Sequence, residues 1–473
     1  MLDRMNRVNL IIKLPDSFYW LILLIIAQIS AADGQAAESN LIARSYKLNE
    51  AYQQLSREYY QANTRDSDRI DDIDQLVLLT TRLKSQLQSV EANQLIYGSQ
   101  QAIENNPDQP GVIQLVESLL DNNERQLAET VYDLIDQAGD EISLANLRFV
   151  FAKYHARLNQ WLEVTQLLKN IIPKLQGRDA DYAYLLQGSA LQHLRKHRSS
   201  VESYANVITT SPYYIHAQLN TALASIRQGW ITAAREIFER IIPLSRQTEN
   251  RELTNRIYLV LGYALLQKEY YRDARQAFRN VGIDSRYTNK ALMGISLTAV
   301  SQGDYIGGLN SISVLKQGQA NDLTTDEAYL VLPYIYEKLD QRLSISSSFS
   351  EAIDYYQQKL LALDAMKQEP VDFDRLQFEK ISGDLLLNGL RFNFSQQYPA
   401  YLIKNRNNLK DLATASGETK QTRIIEQLIR DYDILLNEII SSLIEQRRKF
   451  ITSYLNQSRF GLARHYDSTQ VVQ

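Results

Sequence analysis

Residues Asn255–Tyr271 read NRIYLVLGYALLQKEYY, and Arg272–Ile283 continue RDARQAFRNVGI. Tyr258, Leu261 and Leu265 recur at steps of three and four, which puts them on one face of a helix. Gly262 lies among them, and Ala274 and Phe278 resume the same spacing further on. The stretch therefore predicts two short antiparallel helices that cross closely where Gly262 and Ala274 meet. Counted from Asn255, large residues stand at 4, 7 and 11, small ones at 8 and 20, and an aromatic at 24.

The same offsets recur along the chain. Gly188, Ser200, Tyr204 and Pro212 take positions 8, 20, 24 and 32 of a unit starting at Asp181. Ala222, Ala234 and Phe238 follow at the next step, and Gly308 with Ile312 lies one step beyond Ala274 and Phe278. Fainter copies pair Ala128 with Tyr132, Val164 with Leu168, and Ala352 with Tyr356. Position 20 thus falls at 128, 164, 200, 234, 274, 308 and 352. The two long steps are expected to hold loops, at Leu244–Asn250 and at Arg342–Ser350 with its SISSSFS. Val116 at position 8 of the first copy and Pro333 in the last depart from the pattern, as terminal repeats commonly do. Gly307 beside Gly308 should cost about 1 kcal/mol in a helix, and the repeat pattern gives no reason for it.

This pattern resembles the tetratricopeptide repeat family. The resemblance implies an all-α, right-handed solenoid of about seven helical hairpins over residues 107–366. It also implies a concave groove lined by the first helix of each hairpin. Position 2 would supply Tyr182, His216, Arg256, Lys290 and Glu327, and position 5 Leu185, Leu219, Leu259, Met293 and Leu330. Position 9 would add Ser189, Leu223, Tyr263, Leu297 and Tyr334, and position 13 His193, Arg227, Gln267, Ser301 and Lys338. The expected groove is aliphatic in the middle with basic and Tyr rims, which suits an extended peptide or an amphipathic helix. Family members that clamp a peptide carboxylate carry Lys and Asn at positions 5 and 9; Leu, Met, Tyr and Ser stand there instead, so that clamp is not expected. A rival expectation is that the chain's own C-terminal helix covers part of the stripe.

The flanks read as helical too. In 33–106, Leu48, Ala51, Tyr52, Leu55, Tyr59 and Tyr60 mark one helix face; Ile73, Leu76, Leu79, Leu83, Leu87 and Val90 mark a second. A helical hairpin with its turn near Asn63–Ser67 is expected, either packed on the first repeat or pairing as a coiled-coil homodimer. Residues 367–417 read as an irregular helical connection. Residues 418–467 form one long helix with Ile425, Leu428, Tyr432, Leu435, Ile439, Leu443, Phe450 and Tyr454 on one face, and 468–473 a tail. Tyr454–Asp467 (YLNQSRFGLARHYD) resembles the end helix of envelope-associated repeat proteins of proteobacteria.

Location and chemistry are read from the remainder of the 473 residues. Phe18–Ile26 (FYWLILLII) follows Arg4, Arg7 and Lys13 and precedes small residues at Ser30 and Ala32. That fits a signal peptide over 1–32 cut after Ala32, and a periplasmic product if the source is bacterial; a retained inner-membrane anchor over 18–32 is the rival. The absence of cysteine rules out thiol catalysis, disulfides and cysteine-held metals, and suits an oxidising compartment. A formal net charge of −4 gives no footprint for nucleic-acid binding. Phosphate-cradling loops and HExxH are missing, so no cofactor, metal or small-molecule substrate is expected. His193 and His197 are read as an exposed turn, Ser313–Lys316 (SVLK) as part of a helix rather than an acyl-transfer nucleophile, and Arg447–Lys449 as a solvated face. The sequence thus points to a non-enzymatic scaffold for envelope protein partners, with a chaperone for exported clients as the alternative and an envelope hydrolase a distant third.

Overall fold

A computed structural model describes residues 32–470 apart from 66–67, 139, 249, 319–321, 370, 379–383 and 418–419. Apart from Ala32, the expected leader lies outside the described residues. Among these residues no helix is long and apolar enough to cross a membrane. The chain divides into two compact units. An N-terminal unit holds Ser39–Gln228 with Tyr398–Glu438; a C-terminal unit holds Gly229–Gln397 with residues 439–470.

The N-terminal unit starts with α1 (Ala32–Asn63), which begins before it, and three shorter helices, α2 (Ile73–Ser85), α3 (Ser89–Gly98) and α4 (Gln100–Asn105). Hairpins follow: α5 (Pro110–Asp121) with α6 (Arg125–Ala138), α7 (Glu141–Arg157) with α8 (Trp161–Leu167), and α9 (Gly177–His193) with α10 (His197–Ala205). Helix α11 (Tyr214–Arg227) closes the run. The C-terminal unit begins with α12 (Ile231–Arg246) and continues with the hairpins α13 (Arg251–Gln267) with α14 (Tyr271–Arg279), α15 (Thr288–Ser301) with α16 (Tyr305–Gln317), and α17 (Leu323–Lys338) with α18 (Arg342–Gln368). A small sheet and the short α19 (Phe394–Gln397) come next. Helix α20 (Tyr401–Ser416) belongs to the N-terminal unit, and α21 (Lys420–Gln470) contributes residues to both. The fold is all-α, built from tetratricopeptide-like hairpins.

One backbone device makes every hairpin. Asn123, Asn159, Arg195, Glu269, Gly303 and Asp340, each just before a second helix, all have φ between +52° and +77°. The next residue then turns its N–H back to the carbonyl five residues earlier. Glu124, Gln160, Lys196, Tyr270, Asp304 and Gln341 all make this bond, at 2.8–3.1 Å. It is the Schellman closure, which satisfies carbonyls left open at a helix end. Only one of the six residues is Gly, so five side chains bear the left-handed strain.

The small residues are explained by what faces them. All seven position-20 residues (Ala128, Val164, Ser200, Ala234, Ala274, Gly308 and Ala352) are buried. At position 8, however, the glycine serves mainly the aromatic at 24. A Cβ on Gly188 would run into the Tyr204 ring, and one on Gly262 would lie 2.5 Å from Phe278. A Cβ on Gly294, on the next first helix, would lie 2.5 Å from the same Phe278 ring. Positions 8 and 20 meet directly in α15–α16, where Ser296 Oγ donates to the Gly308 carbonyl at 3.1 Å. Gly307 also has a reason: a Cβ there would strike the Arg275–Asp304 ion pair, and its N–H is capped by Asp304 Oδ1 at 2.9 Å.

Four sequence expectations are corrected. The second helix of 33–106 breaks at Leu87, which has φ +63° and is 87% exposed; Gln88 N–H closes on Leu83 O in the hairpin manner. Arg342–Ser350 is helix, not loop: Ser346, Ser347, Ser348 and Ser350 bond back to carbonyls three or four residues earlier, so the serines stay helical. Leu244–Arg246 likewise lengthens α12. The irregular connection contains a three-stranded antiparallel sheet, β1 (Gln377–Phe378), β2 (Leu385–Leu387) and β3 (Leu390–Phe392). Asn388 (φ +46°) and Gly389 (φ +76°) turn β2 into β3, the Asn-Gly pair that two-residue hairpins favour.

Arg195 tests the left-handed turn. Arg195→Gly should raise the stability of the N-terminal unit by about 0.5–1 kcal/mol, relief of strain outweighing the added chain entropy. Urea unfolding followed by circular dichroism checks this; an unchanged or lower midpoint would contradict the assigned turn.

Candidate functional site

The stripe expected to line a groove is largely packed away. In the C-terminal unit Leu259 and Met293 lie in an apolar cluster with Tyr258, Phe278, Ile312 and Ile335, and Leu330 is buried as well. Tyr263 packs against that cluster, sets its ring edge-on to Phe278, and donates its hydroxyl to the Lys290 carbonyl at 2.9 Å. Leu297 packs there too, and Lys338 sits over the Tyr334 ring. The physical reason is the close approach of neighbouring first helices: α13 touches α15, and α15 touches α17. Position 5 therefore fills the layer between repeats. Arg256 and Lys290 are half-buried at its edge.

The N-terminal unit treats its share similarly. Tyr182 stacks on Tyr213 at 4.9 Å and meets Phe149 edge-on, and Leu185 packs against the Tyr204–Val207–Ala217 cluster. Leu219 and Leu223 are buried, His216 is half-buried and Arg227 exposed. The apolar groove as expected is thus corrected: its aliphatic floor is core.

The last hairpin is covered by the C-terminal half of α21. Asp326, at the start of α17, is wholly buried. It pairs with Arg447, accepts from the Tyr355 hydroxyl at 2.7 Å, and has Lys359 Nζ at 3.7 Å. The Tyr356 hydroxyl donates to the Asp326 carbonyl at 2.7 Å. Beside it, Tyr454 Oη donates to Glu327 Oε1 at 3.3 Å. Burial pushes the Glu327 carboxyl up to about 7; Tyr454 and Arg447 oppose this, while Asp326 and Asp322 reinforce it. Arg464 reaches Glu337 at 3.1 Å, Arg448 reaches Asp364 at 2.8 Å, and Gly461 admits the Phe349 ring. Arg447 is therefore no solvated residue but the partner of a buried carboxylate. A buried charge of this kind needs its partner, so the ion pair fixes where the helix docks.

A second polar seam lies inside the N-terminal unit, and sequence reasoning missed it. Glu124 is buried and accepts from Tyr52 Oη at 2.5 Å and Ser56 Oγ at 2.6 Å. Asn123 Nδ2 donates to Asn49 and Asn405, Tyr154 donates to Asn123 Oδ1, and Asn405 Nδ2 also donates to Tyr432 Oη. Burial raises Glu124 above its ordinary value, against the hydrogen bonds from Ser56 and Tyr52; burial pushes Lys84 down to about 8. Lys84 Nζ caps the end of α5 through the Ser118 carbonyl at 2.9 Å. The signal was present in Ser45, Asn49, Gln53 and Ser56, a buried polar row at helical spacing on α1. This face is used within the chain, so it does not supply the expected homodimer seam.

Other candidates take structural places. His193 stacks on Trp161 at 4.0 Å, and Lys316 pairs with Glu351 at 2.7 Å rather than serving Ser313. No group of three metal-binding side chains occurs among the described residues.

No protein-family model matches this chain, and no curated protein matches it. Solved structures similar to it include the apo form of RapI, at 10% identity and TM-score 0.39, covering 82% of this chain and 98% of that one. A Rap protein complexed with competence and sporulation factor follows at 12% identity and TM-score 0.30, covering 73% and 98%. The TPR domain of P58(IPK) is similar at 11% identity and TM-score 0.21, covering 77% and 98%. At these scores the hairpin assignment rests on the turns and ring packing described above.

Glu327 gives a pH prediction. Its folded value of about 7 exceeds the ordinary 4.5, so between those values the folded state binds more protons than the unfolded state. Stability should then fall as pH rises from about 4.5 to about 7. Glu327→Gln should be more stable than the parent at pH 8, by about 1–3 kcal/mol, and near-equal at pH 4.5. Thermal unfolding at the two pH values measures this; a pH-independent difference would contradict the assignment.

Proposed function

We propose that this chain is a non-catalytic scaffold that holds protein partners of a cell-envelope assembly. It acts in the periplasm after loss of its leader, or from an inner-membrane anchor over residues 18–32. The observation that carries partner binding is the hairpin edge of the C-terminal unit. Trp230, Tyr270, Ile306 and Leu343 stand at the starts of α12, α14, α16 and α18 and are 54%, 55%, 64% and 88% exposed. A single exposed apolar residue is ordinary, but Trp230 and Tyr270 directly ahead of α12 and α14, with Ile306 and Leu343 as the second residues of α16 and α18, repeat at the starts of alternate helices, a surface that a partner can bury. This moves the partner surface from the packed inner stripe to the hairpin edge. The exported location is supported by the apolar run Phe18–Ile26 with its small residues to Ala32, and by the absence of cysteine.

Cross-linking a C-terminally tagged copy in its own cells, followed by purification and mass spectrometry, tests both parts. One dominant envelope partner is expected, on a mature chain whose N-terminus follows Ala32 or that fractionates with the inner membrane. A Trp230→Ala/Tyr270→Ala variant should retain its melting temperature and capture about tenfold less of that partner. Undiminished capture by the variant would overturn the edge as the binding surface, and a crowd of unrelated exported clients would turn the assignment to a chaperone.

A further inference from the structure

Arg256 is the half-buried position-2 residue of α13, and no hydrogen bond or ion pair ties it to any described residue. The acid one turn before it on the same helix, Glu252, is engaged elsewhere: its Oε2 accepts from the Ser285 hydroxyl at 2.9 Å. That bond, together with Gly282 N–H donating to Asn255 Oδ1 at 3.0 Å, brings the turn ahead of α15, which carries a second guanidinium, Arg286, onto the start of α13. Arg286 Nη2 donates to Tyr287 Oη at 2.7 Å, and its guanidinium carbon lies 4.9 Å from the centre of that ring. The Tyr287 side chain is buried to all but 8%, so the ring is a fixed platform. Its hydroxyl accepts from Arg286 and keeps its own proton to donate.

Arg256 is half-buried and Arg286 exposed; the two like charges repel one another, and Arg256 also loses water. Burial and the neighbouring Arg286 both push the Arg256 guanidinium below its ordinary value, and only Tyr287 opposes them. An oxyanion resolves this arrangement, because guanidinium forks bind carboxylates through paired, charge-assisted hydrogen bonds. A corner bearing two positive charges matches two neighbouring carboxylates.

We propose that Arg256, Arg286 and Tyr287 form a binding corner for adjacent carboxylates of an acidic segment in a partner protein. The inference rests on the scaffold reading for its ligand class, but its residues are separate from the hairpin edge. Arg286 and Tyr287 come from the turn between hairpins.

The test uses the full chain and fluorescence-labelled, N-acetylated hexaglutamate, read by anisotropy at low salt. Saturable binding is expected, weakening as salt rises. Arg256→Gln and Arg286→Gln should each reduce affinity at least tenfold, whereas Arg272→Gln, an exposed cation on α14, should leave it unchanged. Melting curves confirm folding, and Arg256→Lys, which keeps the charge but loses the fork, should fall between parent and Gln if the Gln variant unfolds. Equal binding by Arg256→Gln and Arg272→Gln overturns the site. Inorganic phosphate that displaces the peptide at equal concentration, through the same arginines, overturns the acidic-segment assignment in favour of a small-anion site. If Arg256→Gln loses hexaglutamate while partner capture in cells fails for the parent, the corner stands and the scaffold reading falls. If hexaglutamate does not bind while capture succeeds, the corner falls and the scaffold stands.

Discussion

Six short turns hold one residue each at positive φ and send the following N–H back to a carbonyl five residues earlier. That closure ends one helix and starts its antiparallel partner within three residues. The close approach of the two helices follows, and with it the demand for small side chains beside an aromatic ring. Gly188 under Tyr204, and Gly262 with Gly294 against Phe278, are the places where backbone must come within van der Waals reach of a ring. A ring so held leaves no room for the position-5 residues to face outward, and Leu259 and Met293 go into the core with it.

The ends of the hairpin runs are finished by polar joints rather than by apolar packing alone. Asp326 with Arg447, and Glu124 with Tyr52 and Ser56, are buried where helices distant in sequence meet. Such groups are costly without their partners and tolerated with them, so each joint admits one register of docking. In the N-terminal unit the joint runs through Asn123, which is also one of the left-handed hairpin residues. The turn that makes a hairpin there also presents the side chain that anchors α1 and α20.

The surfaces proposed for binding are those that this packing leaves over. The inner stripe is spent on cohesion, the hairpin edge keeps its large apolar side chains in solvent, and Arg256 keeps an unneutralised charge. His193 is drawn into stacking on Trp161, and Lys316 into an ion pair with Glu351.

Helical hairpins at a period near 34 residues were legible in the sequence because small and aromatic residues recur at fixed offsets, a local property of helix pairs. The long C-terminal helix was legible for the same reason, as an uninterrupted apolar face. The Asn388-Gly389 turn was also written there, but its strands are only two or three residues long and their pairing is a tertiary event. Periodicity names a buried face without naming what buries it. Leu259 and Tyr263 therefore looked like groove, Arg447 looked like solvent, and the row Ser45–Asn49–Gln53–Ser56 passed unnoticed. The sequence alone determined the hairpins and their order. Only tertiary structure decided which faces meet, because burial of a polar or apolar side chain depends on residues hundreds of positions away.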